Sequence, residues 1–179
     1  MSVRREYDIA FVGLKPGVHE YTYMVGELFF ESYPPQEFSE PNAKVRLLLE
    51  KSSTFMLLKF FVDGSVMSSC DRCGNPLKVD LWDEFEMLVK LVDDPERMNE
   101  EEEDPDVFYI SRGESLLNVE NWIYEFVTLS VPTHRICPED EQGHSTCNQD
   151  VLKKISQLEQ EKQETQNPLW KGLDKFRNL

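Results

Sequence analysis

The stretch Thr54-Phe55-Met56-Leu57-Leu58-Lys59-Phe60-Phe61-Val62-Asp63-Gly64-Ser65-Val66, followed by Cys70-Asp71-Arg72-Cys73-Gly74-Asn75-Pro76 and then by Leu77 to Val92, decides the fold. The first segment is rich in Val, Leu and Phe, with Asp63-Gly64 as a bend or bulge near its end. The last alternates through Val79, Leu81, Trp82, Phe85, Met87, Val89 and Leu91, the pattern of a strand with one buried face. Between them a Cys-x-x-Cys turn supplies two thiols from one backbone knuckle.

A second pair, Cys137 and Cys147, stands far downstream. Two thiol pairs distant in sequence can close one tetrahedral zinc site, so Cys70, Cys73, Cys137 and Cys147 are the candidate ligands. His134 and His144 each stand three residues before a cysteine of the second pair, and either one in place of a thiolate gives a Cys3His site. A catalytic dithiol is not expected. Thioredoxin-like pairs open a helix that lowers the thiolate pKa, whereas Gly74-Asn75-Pro76 leads into a strand. Disulfides need an oxidising compartment. The segment Met1-Ser2-Val3-Arg4-Arg5-Glu6-Tyr7-Asp8 has no apolar core of a secretory signal, and no transmembrane run occurs, so the reading is a cytoplasmic protein with reduced thiols.

Upstream of the deciding stretch, Val18, Tyr21, Tyr23 and Val25, then Leu28 to Phe30, follow the turn signal Gly13-Leu14-Lys15-Pro16-Gly17, and Gly26 divides two extended segments. This predicts a hairpin. Ala43 to Leu49 predicts a further strand, joined to the next through Lys51-Ser52-Ser53, and the whole reads as an antiparallel meander. Downstream, Leu116, Val119, Ile123, Phe126 and Val127 fall at helical spacings behind the candidate cap Ser115, predicting an amphipathic helix that ends before Pro132. Asp150 to Glu164, with Leu152, Ile155 and Leu158 as a thin apolar stripe, predicts a surface helix, and its tail meets Asn167-Pro168. Trp82 and Trp122 sit in apolar patterns and read as core, Trp170 as an anchor docking the tail, and His19 as an exposed strand residue. The fold class is α+β: an antiparallel β-sheet-rich domain of 179 residues with one packed amphipathic helix and a C-terminal helix.

Charge narrows the function. The formal net charge is −15, which disfavours indiscriminate nucleic-acid binding, because phosphates reward lysine and arginine. Residues 93–106 hold nine acidic side chains and Arg97, a net of −8, leaving −7 for the rest. So dense a run reads as a solvated, flexible loop. No internal repeat, Gly-rich phosphate loop or Ser/His/Asp arrangement is visible, and an enzyme is not expected.

The order of these parts carries a resemblance. Cys70-Asp71-Arg72-Cys73 after an apolar strand, Tyr109-Ile110, the helix Leu117 to Val127, Leu129-Ser130-Val131-Pro132-Thr133-His134-Arg135-Ile136-Cys137 and the tail Asn167-Pro168-Leu169-Trp170-Lys171-Gly172-Leu173 resemble the YceD-type large ribosomal RNA subunit accumulation proteins. The resemblance implies a non-enzymatic bacterial or plastid-type factor that supports accumulation of the large-subunit ribosomal RNA by binding that RNA or its precursor. Relatives carry a denser cysteine cluster after the helix, where Glu141 and Ser145 stand here, and an Arg in the tail, where Leu169 stands here. The basic residues nearest the motifs, Arg72, Arg112 and Arg135 with Lys171, Lys175 and Arg177 in the tail, are the candidate RNA contacts. The acidic balance supports a second reading, an adaptor or chaperone that holds a basic large-subunit ribosomal protein.

Overall fold

The computed structural model describes residues 5–164. The chain divides into two compact units, Met1–Ser68 with Lys78–Thr133, and Ser69–Leu77 with His134–Leu179. In chain order the elements are β1 (Asp8–Ile9), β2 (Gly17–Val25), α1 (Glu27–Phe30), β3 (Ser39–Lys51), β4 (Phe55–Ser69), β5 (Pro76–Val92), α2 (Pro95–Glu101), β6 (Val107–Ser111), β7 (Leu117–Asn118), α3 (Glu120–Leu129) and α4 (Gln149–Glu164). Among the described residues no helix is long and apolar enough to cross a membrane.

The fold is α+β, as the sequence predicts. Strands β2 to β6 form one sheet in sequence order, and β1 pairs with β7 in a second, two-stranded sheet. Pairing is antiparallel for β2 with β3 and for β3 with β4. The β5–β6 pair is parallel, and β6 is a strand added beyond the meander expected up to Val92. A parallel neighbour needs a crossover connection, and the acidic stretch, with α2 inside it, provides the link.

Alternation in the sequence becomes burial in the sheet. Val45, Leu47, Leu49, Leu58, Phe60 and Val89 are fully buried on one face. There α3 packs, with Phe126 stacked on Phe85 at 4.4 Å between ring centroids and edge-on to Phe60 at 4.9 Å. Aromatic pairs of this kind add to the stabilisation from area burial. At one edge Lys51 donates its ammonium to the carbonyls of Phe11 at 2.6 Å and Leu14 at 2.8 Å, closing the short turn at Phe11–Gly13.

Four expectations are corrected. Leu28 to Phe30 lies in the single-turn helix α1, not in a strand, and β2 takes β3 as its partner; a three-residue apolar run has no period to separate strand from helix. The helix placed from Ser115 or Leu117 begins at Glu120, because Leu117 and Asn118 pair with β1, and the Asn118 carboxamide oxygen accepts the Glu120 amide. Trp82 is not core: it is 76% exposed, while Trp122 is half-buried against Phe60 and Phe108. Finally, a helix with proline in its first turn occupies Pro95–Glu101, where a structureless loop was expected. Asn99 in that helix donates to the Tyr109 carbonyl and accepts its amide, doing for the outer edge of β6 what another strand would do. His19 lies in β2, half-buried, with Nε2 donating to the Lys15 carbonyl at 2.8 Å.

Gly64 fixes how β4 meets β3. Its φ is +154°, and a Cβ there would press into the Asn42 carbonyl oxygen and stand 2.6 Å from the Ala43 Cα, next to the register shift between Ser39 and Asn42. Only glycine fits that backbone. Gly64→Ala is expected to cost about 2–3 kcal/mol. A urea denaturation midpoint within error of the wild type would contradict this.

Candidate metal centre

The cysteine turn between β4 and β5 is built by its own backbone. Cys70 donates its amide to the Asn75 carbonyl and accepts the Gly74 amide, both at 2.8 Å, and Gly74 takes the left-handed φ of +73° that closes the turn. The segment from His134 returns to this turn. Asp71 donates its amide to the Arg135 carbonyl at 2.7 Å, while the Asp71 carboxylate accepts the Arg135 amide at 2.7 Å and stands 3.7 Å from the guanidinium. This double tie brings Cys137 up to the knuckle, where its amide points at the Cys70 sulfur at 3.4 Å.

The loop from Cys137 to Cys147 folds back on itself. Asp140 accepts the amides of Gln142 and His144, Gly143 turns the chain at φ +79°, and Glu139 bridges to Ser145. Thr146 donates both its amide and its hydroxyl to the Pro138 carbonyl. Asn148 then caps α4, its side-chain oxygen accepting the amides of Asp150 and Val151. Cys147 is thereby set at the start of α4, beside the knuckle.

The result is one cluster of four sulfurs. Cys70 and Cys147 approach to 3.8 Å, Cys73 and Cys137 to 3.7 Å, and all four Sγ atoms lie within 4.8 Å of one another. Sulfurs bonded at about 2.3 Å around one tetrahedral ion stand about 3.8 Å apart, so the edges fit a thiolate-bound metal. They do not fit disulfides, and all four cysteines are free. Neither histidine belongs to the cluster: His134 is exposed, and His144 turns Nδ1 to the Asp140 carboxylate at 3.4 Å. Of the two ligand sets open in the sequence, the geometry assembles the four cysteines.

The electrostatics of the cluster point the same way. Burial pushes the Cys70 thiol up, but backbone N–H groups of Cys137, Arg72 and Cys73 outweigh it and bring Cys70 down to about 6. Backbone N–H groups of Asn148 and Asn75 lower Cys73 as well. Cys137 is pushed up to about 12 by burial and by the neighbouring thiols of Cys70, Cys73 and Cys147. The backbone thus favours negative charge on the knuckle, while the neighbouring sulfurs hold Cys137 protonated beside it. A bound cation removes that conflict.

The candidate RNA contacts are dispersed by comparison. Arg72 is exposed on the knuckle, and Arg135 is half-buried against Asp71. Arg112, exposed at the end of β6, pairs with Asp93 at 3.2 Å. Lys171, Lys175 and Arg177, together with Trp170 and the tail motif, lie outside the described residues. The sequence reading missed Asp71. Its place between the candidate ligands Cys70 and Cys73 was visible, but nothing in the sequence indicated that it would meet a residue 64 positions away.

Asp71→Ala should open the tie between the knuckle and the Cys137 segment, at a cost of about 1–2 kcal/mol. The expected sign is faster reaction of the four thiols with a thiol reagent, together with a lower melting temperature; unchanged thiol kinetics would contradict the role given to this carboxylate.

The family model described as "Large ribosomal RNA subunit accumulation protein YceD" matches residues 58–177. The matched region starts within β4 and takes in both cysteine pairs, β5, β6, α3 and α4. No curated protein and no solved structure matches the chain significantly.

Proposed function

The chain belongs to the YceD family of large ribosomal RNA subunit accumulation proteins, and from that premise we propose that it is a non-enzymatic ribosome-biogenesis factor whose knuckle unit binds the large-subunit RNA or its precursor. The family match over two thirds of the chain carries this reading. Charge supports the assignment to the knuckle unit. Ser69–Leu77 and His134–Leu179 hold 8 Lys and Arg against 9 Asp and Glu, a net of −1, whereas Met1–Ser68 and Lys78–Thr133 hold 11 against 25, a net of −14. Phosphates approach the first at little electrostatic cost and are repelled by the second. In this proposal Arg72, Arg135, Lys171, Lys175 and Arg177 meet RNA, and Arg112 on the acidic unit has at most a peripheral part. The strong acidity of the other unit favours the second reading, in which a basic ribosomal protein is held there.

The ion proposed for Cys70, Cys73, Cys137 and Cys147 is zinc, which takes four thiolates without redox chemistry and adds its binding free energy to the fold. Purified protein should contain about one zinc per chain, and chelation should lower its melting temperature. Metal-free protein with four titratable thiols and the same melting curve would exclude the site.

For RNA, each of Arg72→Ala, Lys171→Ala, Lys175→Ala and Arg177→Ala should lower the slope of log affinity against log salt by about one unit, with little effect on sequence preference. Arg135→Ala should show the same loss plus reduced stability, because it also breaks the Asp71 pair. In cells, loss of the protein should lower mature large-subunit RNA relative to small-subunit RNA; an unchanged ratio would exclude the accumulation role.

A further inference from the structure

One face of the five-stranded sheet is left open around a tryptophan. On β5 the odd positions Val79, Leu81, Met87 and Val89 are buried, so Asp80, Trp82, Glu84 and Glu86 project from the opposite face. Trp82 lies on β5 before the Leu88–Val92 stretch that pairs with β6, with its side chain in water, at 76% exposure. Antiparallel sheets commonly leave one face wet, but polar residues then cover it. An indole in this position is a large apolar surface with no partner among the described residues.

Beside Trp82 runs a groove of about 310 Å³ lined by Lys44, Arg46, Phe61, Asp63, Asp83 and Glu84. Its cations are already engaged or balanced. The Arg46 guanidinium sits 4.4 Å over the Phe61 ring, and Lys44 stands in register with Asp63 on the neighbouring strand. Asp80 and Glu84 stand two residues to either side of Trp82 on the same face of β5. The acidic stretch borders the same face: Lys90, at an even position of β5, lies 5.3 Å from the ring of Tyr109, whose hydroxyl donates to Glu102 at 2.6 Å. The unit that carries this face has a net charge of −14.

We propose that the open sheet face around Trp82 docks a lysine- and arginine-rich polypeptide segment. Two features select that occupant. The indole offers its π face to an ammonium or guanidinium group, and Asp80 and Glu84, on the same face of β5, supply the carboxylates that a desolvated cation requires. The same carboxylates repel the phosphates of an RNA strand, so stacking of a base on Trp82 is opposed by its surroundings. A neutral apolar partner would leave the carboxylates desolvated without counter-charge. The inference rests on the second reading, in which the acidic unit holds a basic protein, names the face that would hold it, and does not depend on how RNA is met.

Calorimetric titration of the full chain with a short unstructured peptide of alternating arginine and glycine tests it, at low and at physiological salt. Binding should quench tryptophan fluorescence and weaken as salt rises. Trp82→Ala should weaken binding by about five- to tenfold, and Asp80→Asn with Glu84→Gln by a comparable factor, with circular dichroism and melting unchanged because the three side chains are exposed. Neutralising Glu100, Glu101 and Glu103 should weaken the peptide less than Trp82→Ala does. Equal binding by the wild type and Trp82→Ala would overturn the proposal in favour of diffuse attraction by the acidic stretch. Single-stranded RNA bound by the wild type and lost in Trp82→Ala would overturn it in favour of a stacking platform. If no peptide binds while loss of the protein still lowers large-subunit RNA, the docking face falls and the accumulation role stands.

Discussion

Four sulfurs within 4.8 Å of one another are the constraint on which the knuckle unit rests. Among the described residues its buried cluster consists of Cys70, Cys73 and Cys147, with Cys137, Val151 and Leu152 packed against them. So few apolar side chains cannot offset the conformational entropy of ordering two separate chain segments, and small units of this kind rely on a staple in place of a core. A thiolate-bound ion is such a staple. The hydrogen bonds around the cysteines are consistent with that role: the amides of Asp71 and Arg135 and the carboxylate of Asp71 fix the approach of the second pair, and Asn148 fixes the start of α4 beside Cys147. On the proposed zinc site, binding of the ion and folding of these segments would be one equilibrium.

The other unit is stabilised by different means. Its core is a conventional sheet and helix, with Phe60, Phe85 and Phe126 in ring contact and a row of fully buried aliphatic residues along β3 and β4. It needs no ion. Its charge excess lies on its surface, where self-repulsion costs stability but sets which partners approach. A chain with a nearly neutral knuckle unit and a sheet unit of −14 has two electrostatic characters. That explains why the net charge of −15, taken as one number, set the RNA and the adaptor readings against each other.

The parts legible in the sequence were those governed by local period or by ligand chemistry. Alternation marked β3, β4 and β5, the Asp63-Gly64 pair marked an irregular point of β4, and the Cys-x-x-Cys spacing marked the knuckle. The parts that were not legible depend on contacts between distant residues. The parallel pairing of β6, the diversion of Leu117 and Asn118 into β7 and the tie from Asp71 to Arg135 are set by tertiary partners with no local signature. The choice between Cys147 and His144 as fourth ligand was open in the sequence for the same reason: spacing does not reveal that Asp140 takes the imidazole.

Trp82 differs from these cases, because its misplacement was avoidable. Val79, Leu81, Phe85, Met87 and Val89 share one parity, and a strand that buries odd positions must turn residue 82 outward. Composition argued for core and register argued for solvent, and register won, since a one-residue slip would expose five apolar side chains to hide one. The same reasoning applies to the acidic stretch. Composition predicted no order from Asp93 to Asp106, but Asn99 satisfies both backbone groups of Tyr109 and Glu102 accepts the Tyr109 hydroxyl, so the edge of β6 holds the segment at two points while the remaining carboxylates stay in water. Charge density alone therefore does not dictate disorder: a short helix persists within a like-charged run when a few of its polar side chains complete hydrogen bonds that a neighbouring strand would otherwise leave open.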